Sequence, residues 1–67
     1  MAVDTYTQAV ALRATGKLAD AYRAIDDAIL TLDEIRNADV SRPAAELDRL
    51  KHGISDIIKD IEHKVEL

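Results

Sequence analysis

The stretch RATGKLADAYRAIDDAI (residues 13–29) decides how many helices this chain forms. A weak helical pattern precedes its glycine and a strong one follows it, so the stretch is typical of one helix ending, a glycine turn and a second helix beginning. On this interpretation helix 1 covers about residues 4–15. Asp4 or Thr5 can accept its first free N–H groups, and Gly16 suits the left-handed residue after its end.

Helix 2, about residues 18–37, has the clearest pattern. Its apolar residues recur at steps of three and four, which is typical of an amphipathic helix. These residues are Leu18, Ala21, Ile25, Ala28, Leu32 and Ile35, and the stripe is widened on one flank by Tyr22 and Ile29.

Helix 3, about residues 43–66, follows the segment NADVSRP (residues 37–43), in which Ser41 can cap a helix and Pro43 suits a first helical turn. The spacing of apolar residues continues through Gly53 without a shift, which predicts one continuous helix. The apolar residues of helix 3 are Leu47, Leu50, Ile54, Ile57 and Ile61.

The three segments together predict an all-α protein that is a single helical domain of residues 1–67. We expect a three-helix bundle in which a short first helix packs on a long antiparallel helical hairpin. A domain of this size is marginally stable unless something reinforces it. The chain has no cysteine, so disulfides are excluded, and oligomerisation or unusually regular helix packing is left.

The net charge of −4 and the pI near 4.9 restrict the partners. Nucleic acids and anionic lipids are bound by clustered Lys and Arg, which this acidic chain lacks. Its first residues, MAVDTYTQ, have neither the basic region nor the apolar core of a signal peptide, and no apolar run is long enough to span a bilayer. The sequence therefore predicts no nucleic-acid partner, no membrane partner and a cytoplasmic location.

No residue pattern indicates catalysis. A catalytic nucleophile needs a base beside it, and neither Ser41 nor Ser55 lies in a nucleophile motif. The adjacent carboxylates Asp26 and Asp27 point about 100° apart on a helix, which favours surface charge over acid–base chemistry. The chain is therefore predicted not to be an enzyme and to need no cofactor.

One group of residues on helix 3 suggests a second function class. His52 and His63 lie three turns apart on the same face, with Asp56 and Asp60 between them on roughly the same side. The favoured interpretation is a solvated charged face without a metal, because the group lies opposite the apolar stripe. The alternative is a metal- or small-ligand-binding helical protein whose site forms between subunits.

The first half of the chain, residues 5–38, resembles a tetratricopeptide-type helical hairpin. The resemblance rests on a glycine after the first helix and on small residues at matching spacing: Gly16, Ala9, Ala21 and Ala28, with Leu12 at a larger position. The whole chain also looks like the three-helix microtubule-interacting-and-trafficking domains, which share the G-x-x-x-A hairpin. Both resemblances imply an all-α module that binds other proteins, and the second implies short helical peptides as ligands.

The leading functional hypothesis is a non-enzymatic protein–protein interaction module that associates with itself or with another protein. A short helix 1 can cover only one end of the hairpin, so we expect an exposed apolar patch near the NADVSRP turn. A twofold dimer would bury it as a four-helix bundle. The predicted contact residues are Ala28, Leu32, Ile35, Leu47, Leu50 and Ile54.

Overall fold

The computed structural model describes residues 3–66 and contains two α-helices. They are α1, Thr5–Leu32, and α2, Ser41–Lys64, and they are joined by a turn of residues 33–40. The helices pack side by side in opposite directions and form a hairpin of 55 × 15 × 10 Å. The prediction of an all-α protein with a long antiparallel hairpin is confirmed. Neither described helix has an apolar stretch that could cross a membrane.

Gly16 lies inside α1 and does not end a helix. No glycine among residues 3–66 has a positive φ, so the predicted turn at this position is wrong. The physical reason is that a mid-helix glycine costs only about 1 kcal/mol relative to alanine. Continuing the helix keeps Ala11 and Thr15, the two buried residues, on the same side as Leu18. Helices 1 and 2 are therefore one helix, and residues 3–66 form a two-helix hairpin where we predicted a three-helix bundle.

The two helices meet along one line of residues, which we call the seam. Seam residues recur at steps of three and four on both helices, the spacing of a coiled coil, and every one of them is buried or half-buried. In α1 they are Gln8, Ala11, Thr15, Leu18, Tyr22, Ile25, Ile29 and Leu32. From α2 and its C-cap they are Ala44, Leu47, Lys51, Ile54, Ile58, Ile61 and Val65.

The start of α1 agrees with the prediction, whereas its end does not. Asp4 is the N-cap, and its carboxylate accepts a hydrogen bond of 2.7 Å from the backbone N–H of Thr7. Hydrogen bonds from the side chain and from the backbone of Thr7 lower the pKa of Asp4. The helix ends at Leu32, five residues before the predicted end at residue 37. Asp33 and Glu34 follow directly, and negative charge is unfavourable at a helix C-terminus because of the helix dipole.

The helix α2 begins and ends two residues earlier than predicted. Ser41 is its first residue and not its cap. Val40 is the N-cap, and its side chain makes no capping hydrogen bond. Asp39, one residue earlier, supports the start of the helix, since its Oδ1 accepts hydrogen bonds from the Ser41 backbone N–H at 3.0 Å and from the Ser41 hydroxyl at 2.7 Å. Gly53 lies inside the helix, so the predicted continuity through this residue is confirmed.

The hairpin has very little interior. Within residues 3–66 only Ala11 and Thr15 are buried, and no large side chain is fully enclosed. Two helices can cover each other along one stripe only, so the remaining apolar residues stay in contact with solvent. The position of those residues determines what the surface can bind.

Candidate interaction surface

The six predicted contact residues fall into two groups in the structure. Leu32, Leu47 and Ile54 are seam residues and are half-buried between the helices. Ala28 and Leu50 are exposed beside the seam, and Ile35 is exposed in the turn. They therefore do not form the single exposed patch that the sequence suggested. Half of them belong to the internal contact of the hairpin.

The seam and the strongest apolar stripe of the sequence do not coincide. In α1 the two share Leu18, Ile25 and Leu32, but the stripe continues with Ala21 and Ala28, each of which comes one residue before a seam residue. In α2 the stripe continues in the same way with Leu50 and Ile57. The strongest stripe is therefore turned to one side of the seam on both helices.

Residues that come one position after a seam residue lie together along one side of the hairpin, the side away from the strongest apolar stripe. Lys51 contacts Asp26 and Asp48, which follow Ile25 and Leu47. A shallow groove between the helices is lined by residues in equivalent positions: Ala19 from α1, and Ser55 and Glu62 from α2. We call this side the charged face, defined by Ala19, Asp26, Asp48, Ser55 and Glu62.

The opposite side of the hairpin is apolar. Because residues after the seam positions share one side, the residues that precede Thr15, Tyr22, Ile29, Lys51 and Ile58 share the other. We call this side the apolar face, defined by Ala14, Ala21, Ala28, Leu50 and Ile57. Leu50 is 56% exposed and Ile57 is 52% exposed. These two large side chains stand out beside three small ones. The polar residues Thr7 and Lys64, which precede the seam residues Gln8 and Val65, lie on the same side at the end of the hairpin away from the turn.

Lys51 is the only charged residue of the seam, and its charge is directed to the charged face. Its side chain is 15% exposed, and Nζ lies 2.9 Å from Asp26 Oδ1 and 3.6 Å from Asp48 Oδ1. Nζ also lies 5.3 Å from the centre of the Tyr22 ring, within the range of a cation–π interaction. The hydrogen bond to Asp26 raises the pKa of Lys51. The ammonium group of Lys51 therefore adds no charge to the apolar face.

Ile57 is the one large residue of the apolar face that the sequence-based surface omitted, together with the small residues Ala14 and Ala21. It belongs to the predicted stripe, but a separate helix 1 was expected to fold back and cover it. Since α1 is one continuous helix, residues 3–66 contain no third helix that could cover Ile57, which stays 52% exposed. The spacing of Leu50, Ile54 and Ile57 already placed Ile57 on the apolar stripe. The turn assumed at Gly16 created a separate helix 1 that was expected to cover Ile57.

The residues of the alternative metal site lie on the outside of α2. His52, Asp56, Asp60 and His63 are all exposed. His52 Nε2 lies 3.5 Å from Asp48 Oδ2, and Asp60 Oδ2 lies 2.9 Å from Lys64 Nζ. Within residues 3–66, no three acidic or histidine side chains converge as a metal site requires. A site shared between two subunits stays a prediction.

Comparisons with protein-family models, with curated proteins and with solved structures gave no match to this chain. Neither family resemblance gains support from known proteins. The functional assignment therefore rests on the hairpin and its two unlike faces.

Proposed function

We propose that this chain is a non-enzymatic helical interaction module that associates with a second copy of itself through the apolar face. Its composition supports the accompanying predictions of a protein partner, no nucleic-acid or membrane partner, no cofactor and a cytoplasmic location. The contact surface combines the exposed residues of the apolar face with the half-buried seam residues beside them. It thus includes five of the six contact residues expected from the sequence: Ala28, Leu32, Leu47, Leu50 and Ile54.

The observation that carries this proposal is the direction of the strongest apolar stripe. On both helices it lies between the seam and the apolar face, so part of it faces the other helix and part faces solvent. In a four-helix bundle each helix contacts two neighbours, and its most apolar direction points between them to the bundle axis. A second hairpin placed on the apolar face provides the missing neighbour of each helix.

Energetics favour the same arrangement. The hairpin encloses only Ala11 and Thr15, and a domain of this size needs an additional source of stability. Burying a Leu or Ile side chain fully is worth about 1.5–3 kcal/mol. Leu50 and Ile57 are each more than half exposed, and a symmetric dimer buries both residues in each copy. Folding and association are then coupled, as in many small helical dimers.

The test compares two leucines of nearly equal exposure on opposite faces. Leu50 on the apolar face is 56% exposed, and Leu12, which follows the seam residue Ala11 on the charged side, is 58% exposed. We expect Leu50→Glu to abolish the dimer and Leu12→Glu to preserve it, measured as mass by light scattering. Equal effects of the two changes contradict the proposed surface.

A second measurement uses the unchanged protein, so it does not depend on a variant that folds. The unfolding midpoint of a dimer rises with protein concentration, whereas that of a monomer does not. We expect the midpoint to rise over the micromolar range. A monomer that unfolds cooperatively at high micromolar concentration contradicts self-association.

A further inference from the structure

We propose that the two hairpins are related by a twofold axis parallel to their helices, so that both turns lie at the same end of the four-helix bundle. This inference depends on the proposed self-association and specifies its geometry. Two hairpins that meet face to face have two simple symmetric arrangements. The axis runs either along the helices or across them, and the two choices place different residues opposite each other.

The contacts of Lys51 define which residues of α1 and α2 lie at the same level. Lys51 reaches both Tyr22 and Asp26, so Leu50 lies level with the stretch between Ala21 and Ala28. Ile57 is seven residues further along α2 than Leu50. In an antiparallel hairpin it lies seven residues further back along α1, between Ala14 and Ala21. Each large residue of the apolar face is thus level with a gap between two alanines.

An axis along the helices places α1 of one copy against α2 of the other at the same level. Leu50 and Ile57 of each copy then pack between the alanines of its partner, as a large side chain packs into a hole between small ones. An axis across the helices instead places α1 against α1 and α2 against α2. Alanine then meets alanine on one side, while Leu50 meets Ile57 on the other.

The two arrangements differ in how well they fill space. Side chains at the contact set the distance between helix axes, within about 8–10 Å. Alanine columns bring two helices close together, whereas facing Leu and Ile side chains hold them apart. Because α1 and α2 are fixed side by side in each hairpin, the arrangement with the axis across the helices, which we call the crossed arrangement, requires the two hairpins to tilt, close together on the alanine side and apart on the other. The arrangement with the axis along the helices gives the same distance on both sides.

Charges along the margin of the apolar face favour the same choice. Lys17 follows Ala14 by three residues, Glu46 precedes Leu50 by four, and Asp60 follows Ile57 by three, so all three lie beside the face. With the axis along the helices, Lys17 of one copy is level with Asp60 of the other. With the axis across them, Glu46 of one copy is opposite Asp60 of the other. Within its own helix Asp60 pairs with Lys64 at 2.9 Å, and Glu46 pairs with Arg42 at 3.7 Å. The first contact adds an unlike charge beside Asp60, whereas the second adds a like charge.

The test measures the distance between the two turns. The chain has no cysteine, so Ala38→Cys in the exposed turn introduces a single site for a spin label. At a rise of about 1.5 Å per residue, the turn lies roughly 25 Å from the centre of the face. Pulsed electron paramagnetic resonance should give a label separation below about 30 Å for the proposed geometry. The crossed arrangement gives about 50 Å.

The outcomes separate the two proposals. A dimer by light scattering with a label separation near 50 Å overturns this geometry and leaves the proposed self-association intact. A monomer overturns both. Dilution with unlabelled protein should remove the distance signal, which confirms that the signal arises between copies.

A charge reversal gives an independent readout. In the proposed geometry Lys17→Glu turns two attractive contacts per dimer into repulsive ones and should weaken association roughly 2- to 30-fold. In the crossed arrangement Lys17 faces Ala24 of the partner, and the change is neutral. An unchanged dissociation constant therefore overturns the proposal. Arg13→Glu, on the outer surface of the same helix, is the matched control.

Discussion

Lys51 and Asp26 form the one ion pair that joins the two helices of residues 3–66, with 2.9 Å between Nζ and Oδ1. Every other ion pair of that part of the chain lies within a single helix. A charged or polar residue in a mostly apolar helix contact is known to fix how two helices align along their length. Sliding α2 by one helical turn would remove Lys51 from both Asp26 and Tyr22. The pair therefore specifies alignment more than it adds stability.

The first prediction concerns alkaline pH. The contact with Asp26 raises the pKa of Lys51 above its ordinary value of 10.5 in the folded state. The resulting stabilisation is fully present below pH 10.5 and is lost as the pH rises through the higher, folded-state pKa. We expect unfolding midpoints of the wild type to show this loss and those of Lys51→Met to lack it. Lys59→Met, a change at an exposed lysine of the same helix, should keep the wild-type pH profile.

The second prediction concerns Gly16. A Cβ added at this residue meets no atom within 4 Å, and its φ is not positive. Gly16→Ala should therefore raise the free energy of unfolding by up to about 1 kcal/mol, because alanine is the better helix former. Denaturant titration measures the change. A glycine that ended a helix in the left-handed conformation would show the opposite sign, so destabilisation by Gly16→Ala argues for a turn there.

The third prediction concerns Gly53, which is equally open within one hairpin. It lies between Leu50 and Ile57 along α2, beside the apolar face, whereas Gly16 lies away from that face. We expect Gly53→Ala to raise helix stability by up to about 1 kcal/mol as well. Denaturant titration of both variants at the same protein concentration makes the comparison direct. A strongly destabilised Gly53→Ala contradicts an open, continuous α2.

The fourth prediction concerns the cap at Asp4. The hydrogen bonds from Thr7 lower the pKa of this carboxyl from its ordinary value of 3.8. Its stabilising effect is present above pH 3.8 and is lost as the pH falls through the lower, folded-state pKa. Asp4→Ala should reduce stability at pH 7, and Asp4→Asn should retain most of the cap, since Asn is an equally good N-cap residue. Thermal unfolding at pH 7 and pH 2 checks both, and only the wild type should lose the contribution of Asp4 on acidification.

The fifth prediction concerns the residue that follows the C-cap of α2. Glu66 has a φ of 58°, a left-handed conformation that costs a residue with a Cβ about 1–2 kcal/mol. Glycine adopts this conformation without that steric cost. Glu66→Gly should raise the free energy of unfolding by up to about 1 kcal/mol. Glu62→Gly, inside α2, should lower it by a similar amount.

The sequence predicted α2 far better than it predicted the first part of α1. Seam residues in α2 are mostly large and apolar, so their spacing is visible and continues through Gly53. The first three seam residues of α1 are Gln8, Ala11 and Thr15, which give almost no hydrophobic signal. The apolar residues visible before Gly16 are instead Tyr6, Ala9, Val10 and Ala14, none of which belongs to the seam, and Tyr6 is 76% exposed.

The candidate surface was predictable only in part, for a related reason. Spacing identifies a stripe of apolar residues, but it does not say which edge of the stripe another helix will cover. That choice depends on which helices exist and how they pair. Once α1 is one helix, Leu50 and Ile57 are left beside the seam, and the position of Lys51 shows which side is charged.

The hairpin is closed by its turn at one end and by a hydrogen bond at the other, where the Gln8 side-chain amide donates to the Val65 carbonyl at 3.2 Å. The two ends of the described chain therefore lie at the same end of the hairpin. Tension applied between them pulls the helices apart from that end, and it loads the pair of Gln8 and Val65 before any other. Each layer of the seam then separates in sequence, so the force resisting extension is that of one layer at a time. Under mechanical load a single hairpin should open at low force, in many small steps, with the turn opening last.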